Sequence, residues 1–388
     1  MGRNGAIALA VLAGLAAGCG GNKKAETPEL KGTMSFGVLA PVERQGELGV
    51  RAKDLTDGAK LAVDEINRKG GVLGKKLELQ VADDACSAQV AYEAAKAFLT
   101  DGEVAGVLGG MCDEAAEREV GVIDTTGVPF LVTSATADDL VSDDLQSTYM
   151  MNGTVYQQAL SAVFWMNYRQ AQRLAVIQDD SAESKLLARK AIGLVEGAPK
   201  LVSLQTVEPG GQDMDTIAKA AVASKPNFVY WTGAPAAGGE LVKALRAAGY
   251  KGTFTASAAS ESPEFLTAAG PQAGENAFVL ATSTAANTPM AKAWSESFQL
   301  RYKREPGFEA QQGYDSVRTL AHAIQKAKTT EGPKVVQSMT TLDTSFVNSL
   351  GVVRFATDHR LLYDNRVILR VKEGAFTWDR SLRTDSLG

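Results

Sequence analysis

Strand-like and helix-like stretches alternate along nearly the whole chain, and this alternation limits the fold more than any other feature. Met34 to Ala40 is an apolar run of strand length, after which Leu55, Ala59, Ala62, Val63 and Ile66 recur at helical spacing, so one face of that helix is buried. Lys69-Gly70-Gly71-Val72-Leu73-Gly74 stops the helix and turns the chain, and Leu77, Leu79 and Val81 then alternate as in a strand. A helix over 87–100, a strand over 104–108, a helix over 113–125 and a buried strand over 128–133 continue the series. Around Met150–Thr154 the pattern restarts: helix 156–168, strand 173–178, helix 184–196, strand 201–207, helix 214–224, strand 228–231, helix 240–248 and strand 252–256. Helices over 289–302 and 310–328 follow, and 351–355 and 366–372 read as closing strands. Such alternation is the mark of parallel sheets covered by helices on both faces, here in two copies. The chain is therefore expected to be an α/β protein with two lobes and a cleft between them. Ligands of open parallel sheets sit beyond the carboxyl ends of the strands. The loops after the strands are accordingly the places to look: 41–54, 84–87, 109–114, 133–139, 179–184, 232–238 and 257–262.

Length agrees, since 388 residues correspond to two or three folding units. A formal net charge of −5 gives no generic surface for polyanions, so nucleic acid is not an expected partner. The two histidines, His322 and His359, are far apart in sequence and leave no room for a multi-histidine metal site. Before the first strand, Arg3 precedes an uninterrupted small and apolar run from Ala6 to Ala17. About twelve residues is too short to span a membrane and suits a signal-peptide core. The run ends in Ala16-Ala17-Gly18-Cys19, which resembles a bacterial lipobox with Leu15 displaced by one position. Residues 1–18 are thus read as a lipoprotein signal peptide, Cys19 as the lipidated residue, and 19–32 as a flexible polar tether. The body would then lie outside the cytoplasm, held to the membrane surface by lipid. The remaining cysteines, Cys86 and Cys112, form an even pair in an exported chain, which favours a disulfide. Two inert buried thiols or a metal site are the alternatives, and the metal site lacks further ligands nearby.

Motifs for catalysis are scarce. No Gly-x-Gly-x-x-Gly opens a helix, the glycines of Gly70–Lys75 are wrongly spaced for a phosphate loop, and neither a Gly-x-Ser-x-Gly elbow nor His-Glu-x-x-His occurs. No cofactor is implied. The acid pairs Asp83-Asp84, Asp138-Asp139 and Asp179-Asp180 fit helix caps and solvated loops better than acid–base chemistry. Binding loops are better represented. Val132-Thr133-Ser134-Ala135-Thr136 brings hydroxyls and backbone N–H groups to a strand end, where they suit a carboxylate or amide. Asp113 opens a helix, either as a capping acid or facing the cleft to attract a cation. Arg51 is a candidate clamp for an anionic group, with a surface arginine as the alternative. Tyr314 is a candidate cleft wall, with core packing as the alternative.

Gly58-Ala59, Ala62-Val63-Asp64-Glu65-Ile66-Asn67, Gly70 to Leu79, Asp83-Asp84-Ala85-Cys86, Gly109-Gly110-Met111-Cys112 and Gly313-Tyr314-Asp315 together resemble the leucine/isoleucine/valine-binding family, type 1 periplasmic solute-binding proteins of ABC importers. The similarity in element order runs over about residues 34–380. The resemblance implies two Rossmann-like lobes joined by a three-strand hinge, a Cys86–Cys112 disulfide, and a solute trapped as the hinge closes. It implies an N-terminal lobe of 33–153 plus 284–345, a C-terminal lobe of 154–283 plus 346–380, and a tail, 381–388. It places the carboxylate-binding positions at Asp113 and at Ser134-Ala135-Thr136. The acid that receives an ammonium group in the family falls at Ala258, and aromatic walls fall at Ala182 and at Gly233-Ala234. Those departures argue against leucine, isoleucine or valine and for a polar or larger amino-acid-like or amide-type solute. The expected role is that of a monomeric, non-enzymatic receptor handing solute to ABC permease and ATPase subunits. A sensor acting through a separate signalling protein and an exported amide hydrolase are the alternatives.

Overall fold

The computed structural model describes residues 30–100, 104–208, 213–284, 286–288, 291–342, 347–348, 351–362 and 366–382. The expected signal peptide, Cys19 and most of the tether and tail lie outside these residues. The first half runs β1 (Thr33–Ala40), α1 (Gly46–Arg68), β2 (Lys76–Asp83), α2 (Ala88–Thr100), β3 (Val104–Gly109), α3 (Asp113–Ile123), β4 (Phe130–Val132) and β5 (Thr148–Met150). Its five strands are all parallel, in the order β2-β1-β3-β4-β5, with Val38 of β1 opposite Val81 of β2 and Leu108 of β3.

The second half runs α4 (Val155–Tyr168), β6 (Arg173–Asp179), α5 (Ala182–Gly193), β7 (Lys200–Val207), α6 (Met214–Ala223), β8 (Phe228–Trp231), α7 (Pro235–Ala247), β9 (Thr253–Ala256), α8 (Pro263–Ala273) and β10 (Phe278–Thr282). The chain then adds α9 (Lys292–Tyr302), α10 (Phe308–Ala327), α11 (Gly332–Thr340), the short pair β11 (Val347–Asn348) and β12 (Gly351–Val352), and the hairpin β13 (Arg366–Lys372) and β14 (Ala375–Leu382). The second sheet has the order β14-β13-β10-β9-β8-β6-β7. Strands β6 through β10 are parallel, and their order β7-β6-β8-β9-β10 repeats that of the first sheet. β13 and β14 extend it antiparallel.

Period-two alternation divides each sheet between two apolar layers. In the first, Phe36, Val38, Leu108 and Leu131 pack with α1 and α10, whereas Leu39, Val107, Phe130 and Val132 pack with α2 and α3. In the second, Ala175, Ile177, Val229 and Trp231 face α6, α7 and α8, and Leu174, Val176, Phe228 and Tyr230 face α4 and α5. Helix α10 returns to the first half because it lies on α1. At that crossing a Cβ on Gly58 would stand 1.7 Å from the Ala310 carbonyl oxygen, and one on Gly313 would stand 2.1 Å from that of Leu55. Three connections join the halves: β5 to α4, β10 to α9, and α11 to β13. No described helix is long and apolar enough to cross a membrane.

Several expectations shift. Residues 41–54 are not one loop, since α1 begins at Gly46 and carries Arg51 on its second turn. The strand expected over 351–355 is two residues long, followed by a single bridge between Phe355 and Leu361. β5, α8, β10, α11 and β14 are additional to the elements read from periodicity.

Candidate functional site

The carboxyl ends of both sheets border one cavity of about 600 Å³, lined from the first half by Asp113, Glu117 and Thr136–Asp139, and from the second by Glu183, Lys190, Thr232, Ser257 and Ala259 among others. The lining comes from the loops and helices that follow β3, β4, β5, β6, β8 and β9, beyond the carboxyl ends of the strands.

The first wall is the turn after β4. Gly110, at φ +68°, turns its carbonyl toward the N–H groups of Ser134 (3.2 Å) and Ala135 (2.8 Å), and Thr133 N–H donates to Gly109 O at 2.7 Å. The next two N–H groups, from Thr136 (2.8 Å) and Ala137 (3.2 Å), both donate to Asp113 Oδ1. All five backbone donors from Thr133 to Ala137 are thus satisfied within the protein. Ser134 and Ala135 are buried beneath the turn, and Thr136 reaches the cavity.

The second wall repeats the device. Asp179, at the end of β6, accepts from Ser181 N–H (3.1 Å) and Oγ–H (2.6 Å) through one oxygen and from Ala234 N–H (2.7 Å) through the other. Burial pushes its carboxyl up, but these donors outweigh it and hold the group below its usual value. Ser184 and Thr232 hydroxyls, 2.8 Å apart, tie α5 to the β8 loop behind it. Five carboxylates line the cavity, namely Asp113, Glu117, Asp138, Asp139 and Glu183, against one ammonium, Lys190. Lys190 Nζ lies 2.5 Å from Asp138 Oδ2 and so links the two halves, while Asp138 Oδ1 accepts from Tyr156 N–H at the start of α4.

The sequence profile of the periplasmic binding protein family matches residues 33–375. The chain belongs to that family. Among its relatives, a Leu/Ile/Val-binding protein of Rhizobium johnstonii is 28% identical over 306 residues, covering 78% of this chain and 82% of the relative. The Leu/Ile/Val-binding protein of Escherichia coli K12 is 27% identical over 228 residues, 58% of this chain and 60% of that one. Among solved structures, a putative branched-chain amino acid ABC transporter protein from Rhodospirillum rubrum superposes with a TM-score of 0.79 at 23% identity, covering 89% of this chain and all of the other. The branched-chain amino acid transporter substrate-binding protein of Streptococcus pneumoniae, solved with isoleucine, gives 0.68 at 22% identity, covering 90% and 99%. The two-lobed periplasmic binding protein fold expected from sequence is the fold observed.

Within this periplasmic binding protein, the residues singled out from sequence separate. Thr136 and Asp113 meet at the cavity. Ala182 sits on the first turn of α5 beside the lining residue Glu183, and Ala258 lies between the lining residues Ser257 and Ala259. Gly233 follows Thr232, where a Cβ would fall 2.5 Å from Asp179 Oδ2, so close approach of that carboxylate requires glycine. Arg51 is not a free anion clamp, because its guanidinium pairs with the buried Glu309 at 2.6 Å. Tyr314 is a core residue of the first half, packed at 5.5 Å from the Trp294 ring, and its hydroxyl donates to Glu65 at 2.7 Å. Glu117 and Lys190 were missed as cleft residues, although helical spacing of four from Asp113 and of seven from Glu183 puts them on the cavity-facing side.

Behind the first wall, Cys86 and Cys112 form a disulfide with Cα atoms 5.6 Å apart. Beside it, Asp84 and Glu119 are fully buried together. Burial raises both carboxyls, Asp84 to about 6 and Glu119 well above the carboxylate range. Asp84 accepts from Cys86 N–H at 2.8 Å, which favours its ionised form. Neither oxygen of Glu119 has such a donor, so the proton of this adjacent pair resides on Glu119.

Proposed function

We propose that this protein is the extracytoplasmic solute-binding lipoprotein of an ABC importer, capturing an amino-acid-like or amide-type small solute between its lobes and passing it unchanged to a permease. The observation that carries the proposal is the shared cavity: its two walls belong to different halves of the chain, at the carboxyl ends of two similarly ordered sheets. Both the names of the relatives and the isoleucine seen in a similar fold support an amino-acid-related solute. Thr136, with Asp113 behind it, is the proposed grip of the first lobe. Residues near Ala182, Gly233 and Ala258 form the opposing wall, where small side chains leave room for a solute larger than leucine. Lipidation at Cys19, lobe boundaries near residues 153, 283 and 345, a monomeric state and the absence of catalysis belong to the same proposal.

Capture by two walls stabilises the folded protein by mass action. A solute at a hundred times its dissociation constant adds about 2.7 kcal/mol. A thermal-shift screen against amino acids, amides, polyamines and small carboxylates tests the reading, and each hit should be recovered chemically unchanged. A screen with no response, or turnover of the bound compound, would overturn it.

A further inference from the structure

We infer that the solute carries positive charge and has no free carboxylate where it meets the first lobe, as in a small amine or an amide rather than an α-amino acid. This rests on the capture reading above and narrows it. The turn after β4 would be the natural receptor for an anion, but Thr133, Ser134 and Ala135 donate to carbonyls of Gly109 and Gly110, and Thr136 and Ala137 donate to Asp113. The protein has supplied its own carboxylate. On the far wall Asp179 holds Ser181 and Ala234 in the same way.

The lining side chains point in the same direction. Lys190, the one lining ammonium, is already paired with Asp138, and Arg51 is paired with Glu309 away from the cavity lining. An anion brought in among five acids would lose its water, find the backbone N–H groups of the turn already taken, and face like charge at close range. An ammonium or guanidinium brings donors to a wall of acceptors. Oδ1 of Asp113 takes both turn N–H groups, so Oδ2 is not needed to hold the turn. Glu117 and Glu183, from opposite halves, form no ion pair among the described residues and are exposed to the cavity. A solute with cationic groups at both ends would bridge them only when the lobes approach.

Matched pairs that differ by one carboxylate decide the matter: lysine against cadaverine, arginine against agmatine, and leucine against leucinamide, measured by calorimetry on the purified protein. The member without the carboxylate should bind at least tenfold more tightly in at least one pair, and the acid should not be preferred in any. Equal or tighter binding of the acids overturns the inference and leaves solute capture standing. Binding of no member overturns both. Asp113→Ser, which releases the N–H groups of Thr136 and Ala137, should narrow the gap within a pair by at least tenfold. If that variant fails to fold, Glu183→Gln on the exposed first turn of α5 should weaken the diamine at least threefold and leave leucinamide less affected. Unchanged affinities there overturn the inference.

Discussion

Asp84 and Glu119 illustrate how much of this site is set by single protons. With both ionised, two adjacent negative charges would be buried away from water; one shared proton removes the conflict. Because their pKa values are raised in the folded state, the folded protein binds more protons than the unfolded chain. Their contribution is therefore fully present below the ordinary carboxylate range, near pH 4, and is lost as pH rises through about 6 and beyond. Glu119→Gln removes one of the two buried acids and is neutral at every pH. It should flatten the decline in stability between pH 4 and 8 and raise stability at pH 8 by about 1–3 kcal/mol, read from denaturant midpoints across that range. An unaltered pH slope would show that the pair does not share a proton. At the cavity, Thr136→Ala should weaken the preferred solute about fivefold, the loss of one hydrogen bond of about 1 kcal/mol, with little change in melting temperature. Residue types foretold this scale only partly. The turn 133–137 was visible as a cluster of hydroxyls and N–H groups, yet which acceptor each donor takes depends on Gly110 and Asp113 arriving from another strand end. Tyr314 and Arg51 were ambiguous for the same reason: their partners, Glu65 and Glu309, lie 249 and 258 positions away.

Helices and strands were legible wherever apolar period and burial coincide, as in β1, α1 and β6. The elements left unread have weaker marks. α8 is interrupted at Gly270-Pro271, which breaks its helical period; β5 spans only three residues and is defined by pairing with β4. The start of α1 at Gly46 is masked by two glycines in its first turn. Conversely, the Gly-Tyr-Asp motif at 313–315 serves helix packing. Gly58→Ala and Gly313→Ala should each separate α1 from α10 and cost roughly 1–3 kcal/mol or more from overpacking, whereas alanine at the exposed Gly193, whose Cβ meets nothing within 4 Å, should be near neutral or stabilising. Comparable midpoints for all three would show that the helices do not cross so closely. The disulfide belongs to this scale as well, since it joins the end of β2 to the start of α3. Replacing Cys86 and Cys112 together by serine opens a link of sequence separation 26 and should lower stability by about 3.5 kcal/mol in the chain-entropy model.

At the scale of the whole molecule, the repeated strand order is the decisive regularity. Two sheets built alike present their carboxyl ends to one cavity, and three connections join them, so the geometry at the cavity depends on the angle between halves rather than on either core. The Lys190–Asp138 pair spans that gap, but both side chains are 29% exposed, and such a pair contributes about 0.2–1 kcal/mol. That is too little to fix the angle by itself. On the capture proposal a solute touching both walls would supply the difference, shifting the population only by its preference for the approached form. A single compact body of 388 residues would have a radius of gyration of about 21 Å. The solute-free protein should exceed that value in small-angle scattering, and saturation with its preferred solute should reduce it. Glu183→Gln, with one fewer charge on the far wall, should need more solute to reach the same contraction. Affinity without contraction would place the binding energy on one wall alone and remove the reason for two.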